Sequence, residues 1–331
     1  MDTPTHGLIG RVIAKTIWPE QSGRGLVNLV TICSVLPDAD TLISSDGLDY
    51  LRTHRGFTHS FLGVVVGSLL VAGLAKRFGF RNVSFGHLYL VSLLGMVSHI
   101  VFDLVTTYGT LILAPFSDYR AAFDLLFIID PYLDVILIGG LIAGWRVGKQ
   151  GYRWGGMLLS GYMVLAILVT GLGHVQVRRW AAREGVTVAR ASVMPSPFSP
   201  LHRRGMVESG DKIYLVPLNL FSGAYGTPVA FGSALKDPRL GELWQTRTGE
   251  IYAWFTRYPV VQAFPGEEKT ALLIQDLQFM VRKEGLGFLG MWAAEAAVNL
   301  SPDFFDRRIF YLKVDLNEAS GIGDVHYFRG G

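Results

Sequence analysis

Four stretches of roughly twenty residues, nearly empty of charge, constrain this chain more than any other feature. Gly56 to Ala75, Asn82 to Phe102 and Trp154 to Val177 contain no Asp, Glu, Lys or Arg, and Leu125 to Trp145 contains only Asp130 and Asp134 near its start. A helix needs about 20 mainly apolar residues to cross a bilayer, so each stretch reads as a spanning segment. A shorter run, Leu26 to Pro37, and the preceding His6 to Trp18 read as interfacial or half-inserted helices. With 17% charged residues and 50% hydrophobic ones, the chain falls outside the range of disordered, coiled-coil and collagen-like sequences. The start, Met-Asp-Thr-Pro-Thr-His-Gly, lacks the basic and apolar regions of a cleaved leader, so His6 is expected to remain.

Beyond about Arg190 the character changes. Pro195, Pro197 and Pro200 read as a linker, and charged residues return. Lys212 to Leu220, Ile251 to Phe264 and Arg308 to Leu316 read as strands, and Leu286 to Asn299 as a helix. The expected architecture is a polytopic α-helical membrane protein with about four spanning helices. It comprises a helical membrane domain over 1–185 and an extramembrane α+β domain over 186–331.

Loop charge gives an orientation, because short cytoplasmic loops carry excess Lys and Arg. Lys76, Arg77 and Arg81 follow the first span, and Arg146, Lys149 and Arg153 follow the third, with no acid in either loop. Those loops are expected in the cytoplasm, with the N-terminal 55 residues and the C-terminal domain on the outer face. Arg178, Arg179 and Arg183, just after the fourth span, pull the other way. A net charge of +3 without a long basic run offers nothing that would hold nucleic acid.

The polar residues gather at one end of the spans. His54 and His59 open the first, His99 and Asp103 lie four apart and share a face near the end of the second, and Asp38 and Asp40 leave a turn before the first. On this reading His99 sits about nine residues, roughly 13 Å, inside the outer end of its helix. Ionisable groups at such depth are costly unless paired, solvated or bound to metal. The lone cysteine, Cys33, rules out a thiolate cage. Imidazole and carboxylate ligands without thiolate suit Zn²⁺, Mn²⁺ or Fe²⁺, one or two ions, and suit Mg²⁺ and Ca²⁺ poorly.

The same residues carry a resemblance. Thr5-His6, Leu-Pro-Asp38-x-Asp40, His54-Arg55-Gly-x-Thr58-His59-Ser60, Ser98-His99-x-x-x-Asp103, Thr106-Thr107-Tyr108-Gly109, Pro115-Phe116-Ser117 and Ile129-Asp130-Pro131 together resemble the YdjM-type membrane-bound metal-dependent hydrolases, over roughly residues 1 to 180. The metal residues of that family are similar to those of zinc-dependent phospholipase C enzymes. The resemblance implies an inner-membrane location, a hydrolase reaction and a metal role for His6, Asp38, Asp40, His54, His59, His99 and Asp103.

From the chemistry of such a site, Asp38 or Asp40 would bridge ions or take a proton from water, and Arg55 would either anchor at the interface or hold a substrate phosphate. Thr58 and Asp130 would stand behind the ligands and orient histidines. The expected reaction is cleavage of an ester or phosphoester of a lipid or lipid-linked substrate entering from the bilayer. The alternative is a non-catalytic metal-binding membrane protein, either a structural site or a transporter. The apolar inner halves of the spans lack the continuous polar path that transport needs.

Overall fold

Four helices of the N-terminal half begin where a short polar side chain caps them. In the computed structural model, which describes residues 1–19, 24–265, 270–280, 311–317 and 321–328, α1 (Thr3–Ile17) is capped by Asp2, with Pro4 in the first turn. Ser60 caps α4 (Phe61–Phe78) by accepting the Gly63 N–H, and Ser84 caps α5 (Phe85–Leu104) by accepting from His87. Asp130 caps α6 (Pro131–Val147) through the N–H groups of Tyr132 and Leu133. Between these lie α2 (Arg24–Cys33), a 3₁₀ turn at Leu36–Leu42, the short α3 (Gly47–Thr53) and a 3₁₀ turn at Phe57–His59, while α7 (Lys149–Arg183) follows α6.

Among the described residues, α4, α5 and α7 are long and apolar enough to cross a membrane. The pair formed by α2 and its 3₁₀ turn, bent by 43°, makes a fourth if it is one broken span. At 17 residues, or about 26 Å, α6 lies at the short limit of what crosses a bilayer. The expected third span therefore loses its first six residues to the loop and the Asp130 cap.

The helices also stop sooner than hydropathy alone suggests. The apolar run through Tyr108 ends as helix at Leu104, where the Thr106 hydroxyl turns back onto the Asp103 carbonyl at 2.8 Å. His99 is thus five residues, about 8 Å, from the helix end and not roughly 13 Å.

By contact the chain forms two compact units, Met1–Ser44 with Thr53–Ile167, and Ser45–Arg52 with Leu168–Gly331. In the first, Val27, Val30 and Cys33 of α2 pack with Val64, Ala72, Leu88, Val91 and Ile100 of α4 and α5. A second cluster joins Ile9 and Val12 of α1 to Phe102, Leu133, Leu137 and Tyr162. Two close crossings depend on missing side chains. A Cβ at Gly95 would lie 2.5 Å from Cys33 Cβ, and one at Gly140 would lie 2.7 Å from Gly155 Cα.

The second unit holds an antiparallel sheet of β1 (Arg190–Ser196), β2 (Ser199–Ser209), β3 (Lys212–Asn219), β4 (Ala224–Tyr225), β5 (Val229–Ser233), β6 (Pro259–Pro265), β7 (Thr270–Asp276), β8 (Tyr311–Asn317) and β9 (Gly321–Phe328). Its order is β1-β2-β3-β5-β6-β7-β8-β9, with β4 paired to β3. Val177, Trp180 and Ala181 at the end of α7 pack on Val193, Val207 and Val216 of the first strands.

Two expectations are corrected here. The proline-punctuated segment is not a linker but the β1–β2 hairpin: Pro195 pairs opposite Arg203 on an edge strand, next to a register shift at Ser196, both places where a residue lacking N–H is tolerated. The apolar, aromatic run from Ile251 begins as helix α8 (Arg247–Phe255), capped by Thr246, and becomes strand only at Pro259. The expected helix Leu286 to Asn299 lies outside the described residues.

Candidate metal centre

The 3₁₀ turns and helix ends just described deliver polar side chains to one buried point. Asp38 comes from the turn after α2, His59 from the turn before α4, and His99 and Asp103 from the last two turns of α5. These four could hold a metal ion, and all are buried. The close α2–α5 crossing at Gly95 has a local consequence. One turn further along α5, His99 Nδ1 reaches the Ser34 carbonyl oxygen at 2.8 Å. A carbonyl only accepts, so Nδ1 carries a proton and Nε2 is the nitrogen turned toward the cluster.

The same reasoning fixes His59. Its Nδ1 lies 2.9 Å from Thr58 Oγ1 and 3.2 Å from Asp40 Oδ2. The Thr58 hydroxyl spends its single proton on Asp40 Oδ2 at 2.8 Å, so His59 Nδ1 is a donor, and Nε2, which faces inward, is the nitrogen left to meet a metal once the ring is neutral.

With both rings neutral, two imidazole lone pairs meet two carboxylate oxygens. The Nε2 atoms of His59 and His99 are 3.0 Å apart. Asp103 Oδ2 lies 3.2 Å from the first and 3.3 Å from the second. Asp38 Oδ1 lies 3.6 Å and 3.4 Å from them. Four ligands about 2.0–2.1 Å from a tetrahedral zinc are about 3.3–3.4 Å from one another, and these separations bracket that value. With both Nδ1–H groups committed outward, two neutral rings and two carboxylates would give the centre acceptors and no donor. Without a metal, burial lowers the His59 pKa less than Asp103, Asp38 and Asp40 raise it, to about 10, so a proton is the cation that a metal would displace. Asp103 Oδ2 has no hydrogen-bond partner although fully buried. Acceptors crowded in this way repel one another unless a cation lies among them.

The residues behind this point hold it in place. Asp103 Oδ1 is 2.8 Å from Arg55 Nη2, 3.1 Å from His6 Nε2 and 2.5 Å from the Met1 α-amino nitrogen. His6 stacks on His99 with ring centroids 3.7 Å apart, and burial pushes its pKa down to about 3, so the ring is neutral. Asp40 accepts from His54 Nδ1 at 2.9 Å and from the Arg55 N–H at 3.1 Å, in addition to Thr58. Thr3 donates to Asp38 Oδ2 at 2.6 Å.

Arg55 is 1% exposed, which removes the interfacial-anchor reading. Its backbone has φ of 59°, a left-handed conformation that costs a non-glycine residue of order 1–3 kcal/mol. That turn sends the Arg55 N–H to Asp40, lets its carbonyl accept from Leu111 at 3.0 Å, and lays the guanidinium between Asp103, Thr106 (2.9 Å) and the Tyr108 ring (4.8 Å).

The family model of the YdjM inner membrane proteins matches residues 1–177. The chain belongs to this family. Its relatives include YfhP of Bacillus subtilis (strain 168), 27% identical over 179 residues, which cover 51% of this chain and 54% of YfhP. The inner membrane protein YbcI of Escherichia coli (strain K12) is 34% identical over 139 residues, covering 37% of this chain and 79% of YbcI. The chain thus spans about half the length of YfhP. No solved structure matches it.

Within this YdjM chain the residues singled out in the sequence divide into three groups. Asp38, His59, His99 and Asp103 converge with one ligand atom each. His6, Asp40, His54, Arg55 and Thr58 surround them through the bonds given above, so His6, Asp40 and His54 stand behind the cluster where the sequence had put them among its ligands. Asp130 serves as the α6 cap and accepts the Tyr162 hydroxyl at 2.7 Å, and Asp134 accepts the Thr5 hydroxyl at 2.8 Å. Two supports were missed. Thr3 could have been noticed as a hydroxyl three residues before His6, but the Ser34 carbonyl carries no side-chain signal at all.

Proposed function

We propose that this YdjM-family protein is a metal-dependent hydrolase of the membrane, cleaving an ester or phosphoester of a lipid or lipid-linked substrate. The supporting observation is the convergence of Asp38, His59, His99 and Asp103 at tetrahedral separations with their other atoms tied to oriented partners. The donor set of two imidazoles and two carboxylates suits zinc first, then Mn²⁺ or Fe²⁺. A divalent ion held there supplies Lewis acidity and brings the pKa of water near neutrality.

The chain's own groups supply the rest. Asp38, at 9% the most exposed of the four, accepts from Thr3 with Oδ2; where its Oδ1 yields its place to an entering water and takes the proton, His59, His99 and Asp103 would be left to hold the ion. Asp40 is occupied by His54, Arg55, Thr58 and His59 and acts as an orienting acceptor instead of a base. Arg55 holds Asp103 Oδ1 so that Oδ2 stays turned inward. The exposed side chains Leu42, Ile43 and Phe57, on or next to the turns that carry Asp38 and His59, suit a substrate that arrives from lipid.

One observation favours a second reading. Four protein ligands complete a tetrahedron, the arrangement of structural zinc sites, whereas catalytic sites keep a position open. Metal analysis and lipid hydrolysis assays on the detergent-purified chain separate the two. As a hydrolase, wild type binds metal and turns over an ester or phosphoester lipid, His59→Ala loses both, and Asp38→Asn keeps metal but loses turnover. A structural site gives metal binding with no turnover on any such lipid and a fall in melting temperature when the metal is stripped.

A further inference from the structure

The helical unit carries a second feature, whose lining starts at Val101 and Phe102, next to Asp103 in α5, and extends along α1 and the start of α7. A groove of about 1090 Å³ runs between α1, α5 and the start of α7, at the upper end of the roughly 300–1,000 Å³ usual for small-molecule sites. Its walls are apolar, with Val12 and Ile17 from α1, Phe102 from α5, and Met157 and Met163 from α7. At one end the lining turns polar at Gln150 and Arg153. Along α7, Arg153, Gly156, Met157, Ser160 and Met163 recur at helical spacing and form a stripe about 15 Å long.

The polar end has the composition of a membrane interface. From Trp145 to Trp154 the chain has three cations, Arg146, Lys149 and Arg153, and no acid. Trp145 is 74% exposed and Trp154 46%, with Arg146 over the Trp145 ring at 5.0 Å. Tryptophans at the headgroup level beside unopposed cations favour anionic lipid. α1 is fixed against this end, since Thr16 Oγ1 reaches the Tyr152 carbonyl at 3.2 Å and a Cβ at Gly156 would lie 3.2 Å from Thr16 Oγ1. The groove is therefore framed by packed helices.

We propose that this groove is a binding site for one anionic phospholipid, its phosphate held by Arg153 and Gln150 and an acyl chain laid along the Met157–Met163 stripe. Charge complementarity selects this occupant: the only charged residue in the lining is a cation. None of the lining residues is among the four of the metal cluster, and lipid retention in the groove is read without regard to whether that cluster is catalytic.

Native mass spectrometry of the full-length chain, titrated in detergent with dioleoyl phosphatidylglycerol or dioleoyl phosphatidylcholine, tests it. Wild type is expected to retain one phosphatidylglycerol at concentrations where phosphatidylcholine is lost. Arg153→Glu should weaken phosphatidylglycerol retention about tenfold or more and erase the headgroup preference, whereas Arg153→Lys keeps it. Ser160→Trp, which fills the stripe, should lower retention of both lipids. Arg153 and Ser160 are exposed, so helix content by circular dichroism should match wild type in all three variants. Undiminished phosphatidylglycerol retention in Arg153→Glu or in Ser160→Trp overturns the proposal. A change of oligomer mass in Ser160→Trp with lipid retention unchanged also overturns it, and assigns the groove to a second copy of the chain.

Discussion

Asp103 and Asp276 are the same residue at nearly the same burial, 0% and 1% exposed, and the structure uses them in opposite ways. Asp276, at the end of β7, gives Oδ1 to the N–H groups of Tyr258 and Gln278 at 3.0 Å and Oδ2 to that of Arg257 at 2.6 Å. Both oxygens are satisfied by backbone, and the carboxylate staples the approach to β6 onto β7. Asp103 crowds its charged and imidazole partners onto Oδ1 and leaves Oδ2 without a hydrogen bond, facing two imidazole nitrogens. Burial alone therefore does not mark a functional carboxylate. The distinction lies in whether an oxygen remains unsatisfied among other acceptors.

The largest expected effect comes from removing each carboxylate in turn. Asp103→Ala strips a ligand atom and leaves the Arg55 guanidinium buried without its carboxylate, a change that costs about 3–5 kcal/mol. Metal content measured by elemental analysis should fall to background, with a lower melting temperature. Asp276→Ala should leave metal content at the wild-type value. Loss of metal in both variants, or in neither, would break the comparison.

A smaller effect sharpens it by probing the residues that only orient. Asp40 does not reach into the cluster with a free oxygen, yet its acceptors fix His59. Asp40→Ala is expected to weaken metal affinity about 10–100-fold without abolishing binding, read by competition with a chelator of known affinity. An effect equal to that of His99→Ala would return Asp40 to the ligand set.

The helical half was largely legible in sequence because transfer energetics act on composition, and runs free of charge over twenty residues have few other uses. What hydropathy could not see was the end of α5, since apolar residues continue past Leu104 and only the Thr106 hydroxyl turning onto the Asp103 carbonyl shows where the helix stops. Of the seven candidate ligands named from the sequence, the structure brings Asp38, His59, His99 and Asp103 into one group. Spacing brought seven residues to one side of the membrane, but the division between Asp38 and Asp40, or between His54 and His59, depends on which oxygen or nitrogen faces inward. A pattern of residue types does not encode that. In the sheet, proline was read as interruption because an edge strand is a property of the pairing order, and the β1 edge exists only once β2 and β3 are in place. The α8 helix was announced by its Thr246 cap, a signal outweighed by the aromatic and β-branched residues that follow.

The smallest effect lies in pH. Burial holds Asp276 above the ordinary carboxylate range, and the N–H groups of Gln278, Arg257 and Tyr258 offset this only in part. A folded pKa raised above the unfolded one contributes stability that is complete below the unfolded value, about 3.9, and is lost as pH rises through the folded value. Asp276→Asn removes that titration and, at acid pH, costs about 1–3 kcal/mol for the bonds an amide cannot accept. The stability gap between wild type and Asp276→Asn should therefore narrow as pH increases from about 4, and pulse proteolysis of the full chain across a urea series, scoring cleavage within 190–280, would measure it. A gap that widens over that range would mean the three N–H bonds outweigh burial, making Asp276 a site whose ionised form is the favoured one and bringing it closer to Asp103 than the geometry of its partners allows.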